Sequence, residues 1–350
     1  MNPSDWHAQR TRIGLEPADA SPALPGPLPE SGFCDLGGEA LLLVAGPEAV
    51  TFLQGQLTCD VRELAEGSVL PAAHLTPKGR AIATFLAWQI DSEIHLQFPG
   101  GALEEAVTRR LRMFLMRSKA TVAPAGDDLV RLGTWGQAAA GVVADLAGAL
   151  PGSPMRSLAG GDRITLLALP GAEPRLELVL PIDTAINLTT RLQQAGAVAC
   201  APAAWRLLDI RAGLGWVRDE TSESFLPQML NYDRNGGISF TKGCYVGQEV
   251  VARLHHLGEV KRRAYPGRCE AAVPPPPGTP LFSPESRSRQ GAGSVVDAIA
   301  LGDGGCELLA VVERQAQAAG GLRLGSADGP AVELRDPPYP LSDAPRAAGG

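Results

Sequence analysis

The chain has 350 residues, 45% of them hydrophobic, and this length predicts two or three domains with cores of their own. No run of about 18 or more uncharged apolar residues occurs, which argues against a membrane-spanning helix. Lys and Arg (31) are outnumbered by Asp and Glu (38), and with a net charge of −7 no strong direct binding to nucleic acid is expected.

The cysteines and the N-terminal residues indicate the compartment. Six cysteines are scattered without the close spacing of a metal or disulfide motif, a pattern typical of a reducing cytosol. Residues 1–30 lack the apolar core of a secretory signal and the acid-free composition of a transit peptide, and we expect them to form a proline-rich flexible arm. A cytoplasmic protein is predicted.

After this arm the pattern indicates mixed strands and helices. Residues 40–45 read as a buried strand, and Gly46-Pro47 opens a helix. Strands are predicted at 82–90 and 93–98. In the second of these, apolar and polar residues alternate, which places His95 on a solvent-facing side.

A helix is predicted after Gly100-Gly101, with two interpretations of its charges. Glu104 and Glu105 fall in its first turn, whereas its second half and the residues after it are basic. This order complements the helix dipole, as in an ordinary amphipathic helix, but the basic end could also contact an anion. The basic residues are Arg109, Arg110, Arg112, Arg117 and Lys119.

The C-terminal part has a different pattern. Mixed strands and helices continue to about residue 210, with a helix from about residue 184 that ends at Gly196. Four consecutive prolines then mark a boundary at 274–277, and short strands separated by glycines follow. These strands are predicted at 293–300, 306–313, 322–325 and 331–334, which indicates a small all-β unit.

Residues 209–263 carry the highest density of chemically informative side chains. Cys244 lies between Gly243 and Gly247, just ahead of a helix predicted from Gly247. Both the positive end of that helix and the ammonium of Lys242 should favour the thiolate form of Cys244, which would make it reactive. The alternative is a small, half-buried residue in a tight turn.

Other chemistries fit poorly. There is no phosphate-binding loop motif and no Gly-x-Ser-x-Gly motif, and Gly213-x-Gly215 lacks the third glycine of a dinucleotide fingerprint. His255 and His256 are adjacent, so on a helix they point in different directions and cannot clamp one metal ion. No metal site is predicted, and hydrolase, dehydrogenase and metalloenzyme activities are disfavoured.

Four motifs carry a family resemblance. They are LQGQLTCD (53–60), LTPKGR (75–80), FLPQMLN (225–231) and GGISFTKGCYVGQEVVAR (236–253). From about residue 32 to about residue 340 the chain resembles the YgfZ group, folate-binding proteins related to the glycine-cleavage T-protein, an aminomethyltransferase. The resemblance implies an α+β, GcvT-like fold: a two-lobed folate-binding body around a central opening (31–262, divided near 125), a C-terminal β-barrel (263–340) and a tail (341–350).

The resemblance also implies a function and a site. It implies binding of tetrahydrofolate or a one-carbon derivative, and a role in assembling or repairing iron–sulfur clusters in client enzymes such as those that modify tRNA. Cys244 and Lys242 would be the functional pair. The implied folate-binding residues are Asp60, Phe225, Gln228, Asn231, Tyr245, Gln248, Glu249 and Arg253.

Two alternatives stay open at this point. The acidic residues typical of T-proteins are missing, so a working aminomethyltransferase would need another carboxylate, such as Asp60. A pure interaction module would use the basic residues Lys261, Arg262, Arg263 and Arg268. Many relatives carry glutamate where this chain has Arg211, which removes an expected pterin contact that Asp209 could replace.

Overall fold

Two open sheets and one closed barrel organise the computed structural model. The structure describes residues 2–15, 23–116, 118–160, 163–286, 288 and 291–341. Within these residues the α-helices are α1 (Pro3–Ile13), α2 (Ala49–Gln54), α3 (Ala102–Leu115), α4 (Gln137–Ala147), α5 (Ile182–Gln194), α6 (Pro202–Ala212), α7 (Gln248–Leu257) and α8 (Arg314–Ala319).

The first lobe is built on a five-stranded sheet. Its strands are β2 (Glu39–Ala45), β3 (Leu70–Leu75), β4 (Ala81–Ile90), β5 (Glu93–Pro99) and β6 (Thr121–Pro124), in the spatial order β3-β4-β5-β2-β6. Phe85 and Phe98 pack on one face of the sheet, where α3 contributes Leu103, Val107 and Leu111. The strands and helix predicted for this region are therefore confirmed.

The other face of this sheet corrects the prediction for His95. The side chains alternate as expected, but His95 is buried and its ring stacks on Trp88 at a centroid distance of 5.2 Å. Burial lowers the pKa of His95 to about 4. The prediction was wrong because alternation assigns residues to two faces without revealing that the second face is also covered.

The second lobe has a six-stranded sheet. Its strands are β1 (Gly32–Asp35), β7 (Leu129–Trp135), β8 (Arg156–Gly160), β9 (Ile164–Ala168), β10 (Arg175–Pro181) and β11 (Val198–Ala199), in the order β11-β1-β7-β10-β9-β8. Helices α4 and α5 pack against it. Because β1 pairs with β7 and β11, this N-terminal strand belongs to the second lobe, and a single division near residue 125 does not separate the two sheets.

The C-terminal strands close into a barrel, as the fold prediction required. They are β12 (Arg262–Cys269), β13 (Pro280–Phe282), β14 (Gly293–Ala300), β15 (Cys306–Glu313), β16 (Leu322–Leu324) and β17 (Ala331–Leu334). Their order around the barrel is β12-β15-β14-β13-β16-β17. Of the predicted tail at 341–350, residues 342–350 lie outside the described part of the chain.

The N-terminal residues differ from the predicted flexible arm. The side chain of Asn2 caps α1 by accepting hydrogen bonds from the backbone N–H groups of Ser4 and Asp5, and Gly14 ends the helix with φ +69°. The Gln9 side chain is buried and donates to Thr189 on α5 over 3.1 Å. The capping pattern was present in the sequence, but the prolines downstream dominated the prediction.

The segment that follows ties the barrel to the second lobe. The N–H of Leu24 donates to the carbonyl of Ala300 in β14, and the carbonyl of Pro29 accepts from the indole of Trp135 in β7. Residues 16–22 lie outside the described part of the chain. Residues 23–29 therefore contact both bodies and are not an independent arm.

Candidate functional site

The loop ahead of α7 presents an exposed thiol. Cys244 is exposed, whereas Cys200 is half-buried and the remaining four cysteines are buried. The neighbouring Tyr245 is buried, so the loop alternates between a side chain that faces solvent and one that is held in the interior. The structure therefore places Cys244 on an accessible loop fixed by its neighbours.

Lys242 fixes this loop to the first lobe. Its ammonium is buried and donates to the carbonyls of Leu57 (2.8 Å) and Cys59 (2.6 Å). It also lies 5.2 Å from the centroid of the Tyr245 ring. Burial lowers the pKa of Lys242 to about 8. The sequence predicted that this ammonium would stand beside the Cys244 thiol, but it turns inward and anchors the backbone of the 53–60 motif.

Two sequence motifs meet at this point through their glycines. A Cβ on Gly247 would lie 2.5 Å from the carbonyl oxygen of Thr76, and one on Gly79 would lie 2.9 Å from Cβ of Val250. A third motif joins them, because the hydroxyl of Thr58 donates to the carbonyl of Gly237 over 2.6 Å. The motifs at 53–60, 75–80 and 236–253 thus form one packed surface around the Cys244 loop.

The Asp60 carboxylate is fully engaged beneath this surface. It accepts hydrogen bonds from the side chain of Gln54 (2.8 Å) and from the backbone and guanidinium of Arg62, the closest at 2.5 Å. These bonds, led by those of Arg62, hold the pKa of Asp60 well below its usual range. Asp60 therefore stays ionised and caps a turn of 3-10 helix that starts at Val61.

The other predicted folate-binding residues separate into two groups. Along α7, Glu249 and Arg253 are exposed and Gln248 is half-buried, on the helix that follows Cys244. Phe225, Gln228 and Asn231 are buried further inside. The residues on α7 are therefore accessible or partly accessible, whereas the second group is buried.

The buried residues Gln228 and Asn231 form hydrogen bonds to α7 and to the barrel. The Gln228 amide donates to the carbonyl of Val251 in α7 and the Asn231 amide to that of Ala264 in β12, both over 2.8 Å. Asn231 has φ +63°, so its left-handed backbone forms the sharp turn at this position. The side-chain carbonyl oxygens of Gln228 and Asn231 accept no hydrogen bond from the described residues. The side-chain NH2 groups of both residues thus form tertiary hydrogen bonds, and their side-chain carbonyl oxygens remain available as acceptors.

The basic segment of the predicted interaction module is mostly paired. Arg263 is buried and binds both carboxylate oxygens of Asp233, at 2.5 and 2.9 Å. Arg262 pairs with Glu313, and Arg268 pairs with Asp303. Because these guanidinium groups stabilise the barrel and its junction, the segment does not form the free basic surface that the module required.

A second candidate site, missed in the sequence, lies where the two lobes face each other. Glu177 on β10 is fully buried, and neither of its carboxyl oxygens accepts a well-formed hydrogen bond from the described residues. The nearby Gln97 on β5 also has an unpartnered side-chain oxygen. The sequence feature that could have revealed this site is the acidic Glu177 within the apolar run of β10.

Electrostatics show how unusual this carboxyl group is. Burial, reinforced by the charge of Glu39, raises the pKa of Glu177 to about 8. Glu39 lines a cleft of about 410 Å³ between the lobes, together with Arg10, Asp35 and Arg131. The Arg131 guanidinium donates to the Glu39 carbonyl, and Arg10 pairs with Asp35 at 3.0 Å. The junction therefore holds unpartnered acceptors in its interior, whereas the cleft, whose lining includes neither Glu177 nor Gln97, carries both cationic and acidic side chains.

Comparison with known proteins identifies the family. The chain is 32% identical over 305 residues to the tRNA-modifying protein YgfZ of Klebsiella pneumoniae, a match that covers 87% of this chain and 92% of the relative. It is 30% identical to the YgfZ protein of Cronobacter sakazakii, with the same coverage. The chain belongs to the YgfZ family. No family model matches the sequence.

A solved structure shows the same fold. The glycine cleavage system aminomethyltransferase T from Bartonella henselae superposes with a TM-score of 0.66, covering 95% of this chain and 96% of that one at 18% identity. The GcvT-like architecture with its C-terminal barrel is thus confirmed. Among the described residues, no helix combines the length and apolar character needed to cross a bilayer.

In this YgfZ-family chain, Arg211 replaces the glutamate of many relatives, and both Arg211 and the nearby Asp209 form ion pairs. Arg211 forms a bidentate pair with Glu307 of the barrel, with a closest distance of 2.6 Å. Asp209 lies on helix α6, and its carboxylate binds Arg175 (2.6 Å) and the indole of Trp216 (2.9 Å). Asp209 is therefore already partnered, whereas Glu177 has the Gln97 side chain beside it and no well-formed hydrogen bond from the described residues.

Proposed function

We propose that this protein binds tetrahydrofolate, or a one-carbon derivative, and supports iron–sulfur client enzymes of tRNA modification in the cytoplasm, with Cys244 as its functional thiol. Membership of a family whose relatives are called tRNA-modifying proteins supports the general role. The observation that carries the proposal is the exposed Cys244, held on a loop where three sequence motifs converge.

We propose that the pterin ring of the folate binds at the lobe junction, beside Glu177. A pterin has a flat aromatic body whose edge carries amino and ring N–H donors, and such a ligand needs a few fixed acceptors in a largely apolar site. Glu177 and Gln97 supply unpartnered oxygens there. Donors from a ligand would satisfy atoms that otherwise remain buried without partners, which is the costly state for a polar group.

We propose that the anionic end of the same molecule binds in the cleft. The tail of a folate is a glutamate, whose carboxylates prefer guanidinium partners. Arg10 and Arg131 line the cleft beside Glu39, where Arg10 is paired with Asp35 and Arg131 donates to backbone carbonyls. We assign Glu177 and Gln97 to the ring, and Arg10 and Arg131 to the tail. The folate itself would contribute the capacity to carry a one-carbon unit.

The contacts of Asp60 weigh against an aminomethyltransferase. A general base must be free to take a proton, whereas this carboxylate already accepts hydrogen bonds from Gln54 and Arg62 and has a lowered pKa. Asp60 was the carboxylate that such a transferase would have required. A non-transferase accessory role therefore fits the chain better.

Cysteine substitution in cells tests the role of the thiol. In cells that lack the endogenous gene, we would measure the fraction of tRNA that carries a nucleoside made by an iron–sulfur enzyme. Cys244→Ser should lose most of the support given by the wild type, whereas the control Cys200→Ser, at a half-buried thiol, should retain it. Full support by Cys244→Ser would remove the thiol from the function.

A further inference from the structure

The C-terminal turn of α3 concentrates exposed apolar side chains. Among the described residues seven large apolar side chains are exposed, and three of them lie within four consecutive positions: Met113 (68% exposed), Phe114 (39%) and Met116 (89%). Such clustering on one surface is typical of a binding site, whereas scattered single residues are not. We call Arg109, Arg112, Met113, Phe114 and Met116 the α3 surface.

This surface is positively charged in a negatively charged protein. Residues 106–120 contain five basic residues and no acidic one, although the chain as a whole has a net charge of −7. Arg109 and Arg112 are exposed and line a groove of about 730 Å³ with Met113, Glu104 and Glu105, and Glu105 lies 4.0 Å from Arg109. The two glutamates belong to the first turn of α3, whereas the apolar side chains lie at its C-terminal end, among the basic residues.

A continuous chain of contacts connects the α3 surface to the Cys244 loop. The Arg110 guanidinium donates to Nε2 of His74 (3.0 Å), and the His74 ring lies 6.4 Å from that of Phe114. Nδ1 of His74 in turn lies 3.0 Å from the carbonyl of Gln56. The next carbonyl, that of Leu57, accepts from Lys242, two residues before Cys244. Both surfaces thus border the same end of β3.

We infer that the α3 surface docks an acidic, amphipathic segment of a partner protein and so brings that partner to the side of the molecule where Cys244 is exposed. The apolar face of such a segment would cover Met113, Phe114 and Met116, and its carboxylates would face Arg109 and Arg112. If the proposed function is correct, this partner is the iron–sulfur client. Two methionines favour a protein over a nucleic acid, because flexible thioethers adapt to apolar side chains and offer nothing to phosphates.

Site-specific cross-linking tests this inference in the full-length protein. A photoreactive benzoylphenylalanine would replace Met116 and, as a control, Val273, an equally apolar position before the second barrel strand that is 75% exposed. After irradiation in cells, linked peptides would be identified by mass spectrometry. Position 116 should link to an acidic, amphipathic protein segment and position 273 should not.

Charge reversal then tests specificity. The double change Arg109→Glu and Arg112→Glu should lower the yield of that cross-link by about tenfold, because two favourable charge pairs become repulsive. Met113→Asp should do the same without altering either arginine. Cross-links to RNA, equal links from position 273, absence of links, or yields unchanged by these substitutions would each overturn the inference.

The outcome is separable from that of the proposed function. Binding of tetrahydrofolate and alkylation of Cys244 should be unchanged in the α3 variants, because neither the lobe junction nor the thiol is touched. Loss of tRNA modification together with intact folate binding and an intact Cys244 would support docking. A Cys244→Ser protein that still supports its client would contradict the proposed function. The docking inference would then be judged by the cross-linking result alone.

Discussion

The backbones of Gly79 and Gly247 touch, and a Cβ on Gly247 would stand 3.2 Å from the Cα of Gly79. These residues come from two motifs more than 160 positions apart in the chain, LTPKGR and KGCYVGQE. Their contact holds the turn at 76–80 against the N-terminus of α7. The geometry of the Cys244 loop thus depends on two positions where no side chain larger than that of glycine fits.

Gly247→Ala should destabilise the protein by about 2 kcal/mol or more, since φ is +81° and the new methyl would overlap the Thr76 carbonyl. Gly243→Ala is a matched control in the same loop, where a Cβ would meet nothing within 4 Å and the cost should stay below about 0.5 kcal/mol. Urea unfolding of both variants measures the difference. Equal stability of the two variants would show that the glycine contact is unimportant.

The buried pair of Arg263 and Asp233 should contribute far more to stability than the surface pairs of the barrel. Arg263→Met removes the buried bidentate partner of Asp233 and leaves that carboxylate with Arg234 alone, at 3.3 Å, so it should cost about 3 kcal/mol. Arg268→Met removes pairs whose members are largely exposed and should cost less than about 1 kcal/mol. Thermal and urea unfolding of both variants test this order. A smaller loss of stability in Arg263→Met than in Arg268→Met would contradict it.

Glu177 should make stability depend on pH. Its pKa is raised to about 8 in the folded protein, against about 4.3 for an unfolded chain, so between these values the folded state holds a proton that the unfolded state has released. Its contribution to the free energy of unfolding therefore falls as pH rises from about 4.3 to 8, by at most about 1.4 kcal/mol per pH unit, and levels off above 8.

Glu177→Gln removes this titration while keeping the shape of the side chain. Unfolding in urea at pH 5 to 9 should show the variant gaining stability relative to the wild type as pH increases. A constant difference between the two proteins across this range would mean that the carboxyl group is not held protonated in the folded state.

Thiol accessibility should single out Cys244. Iodoacetamide added to the native protein should alkylate Cys244 well before the buried Cys34, Cys59, Cys269 and Cys306, because only an accessible thiol reacts without local unfolding. Mass spectrometry of peptides at increasing times gives the order. Early labelling of either barrel cysteine would contradict the burial of Cys269 and Cys306.

Local patterns in the sequence were enough for much of the fold. The barrel strands β14 and β15 are short, mainly apolar runs separated by a glycine-rich turn, and their predicted ranges, 293–300 and 306–313, agree with the structure. The helix after Gly247 was equally well marked. Elements whose ends carry strong local signals are recoverable from one sequence.

The contacts of the site could not be predicted in the same way. Whether Lys242 points to Cys244 or to the carbonyls of Leu57 and Cys59 depends on where the 53–60 loop packs, which is a long-range contact. The burial of Glu177 arises because the sheet of one lobe covers that of the other. A period of two along a strand contains no information about such a second layer.

The central claim is that the lobe junction binds a folate through Glu177, and calorimetric titration with tetrahydrofolate tests it most directly. The wild type should release or absorb heat on binding. Glu177→Leu should weaken the affinity by about tenfold to a hundredfold, because it removes one or two hydrogen bonds in a buried site. The exposed control Asp128→Asn should bind like the wild type. A wild type that shows no binding, or a Glu177→Leu protein that binds equally well, would contradict the account.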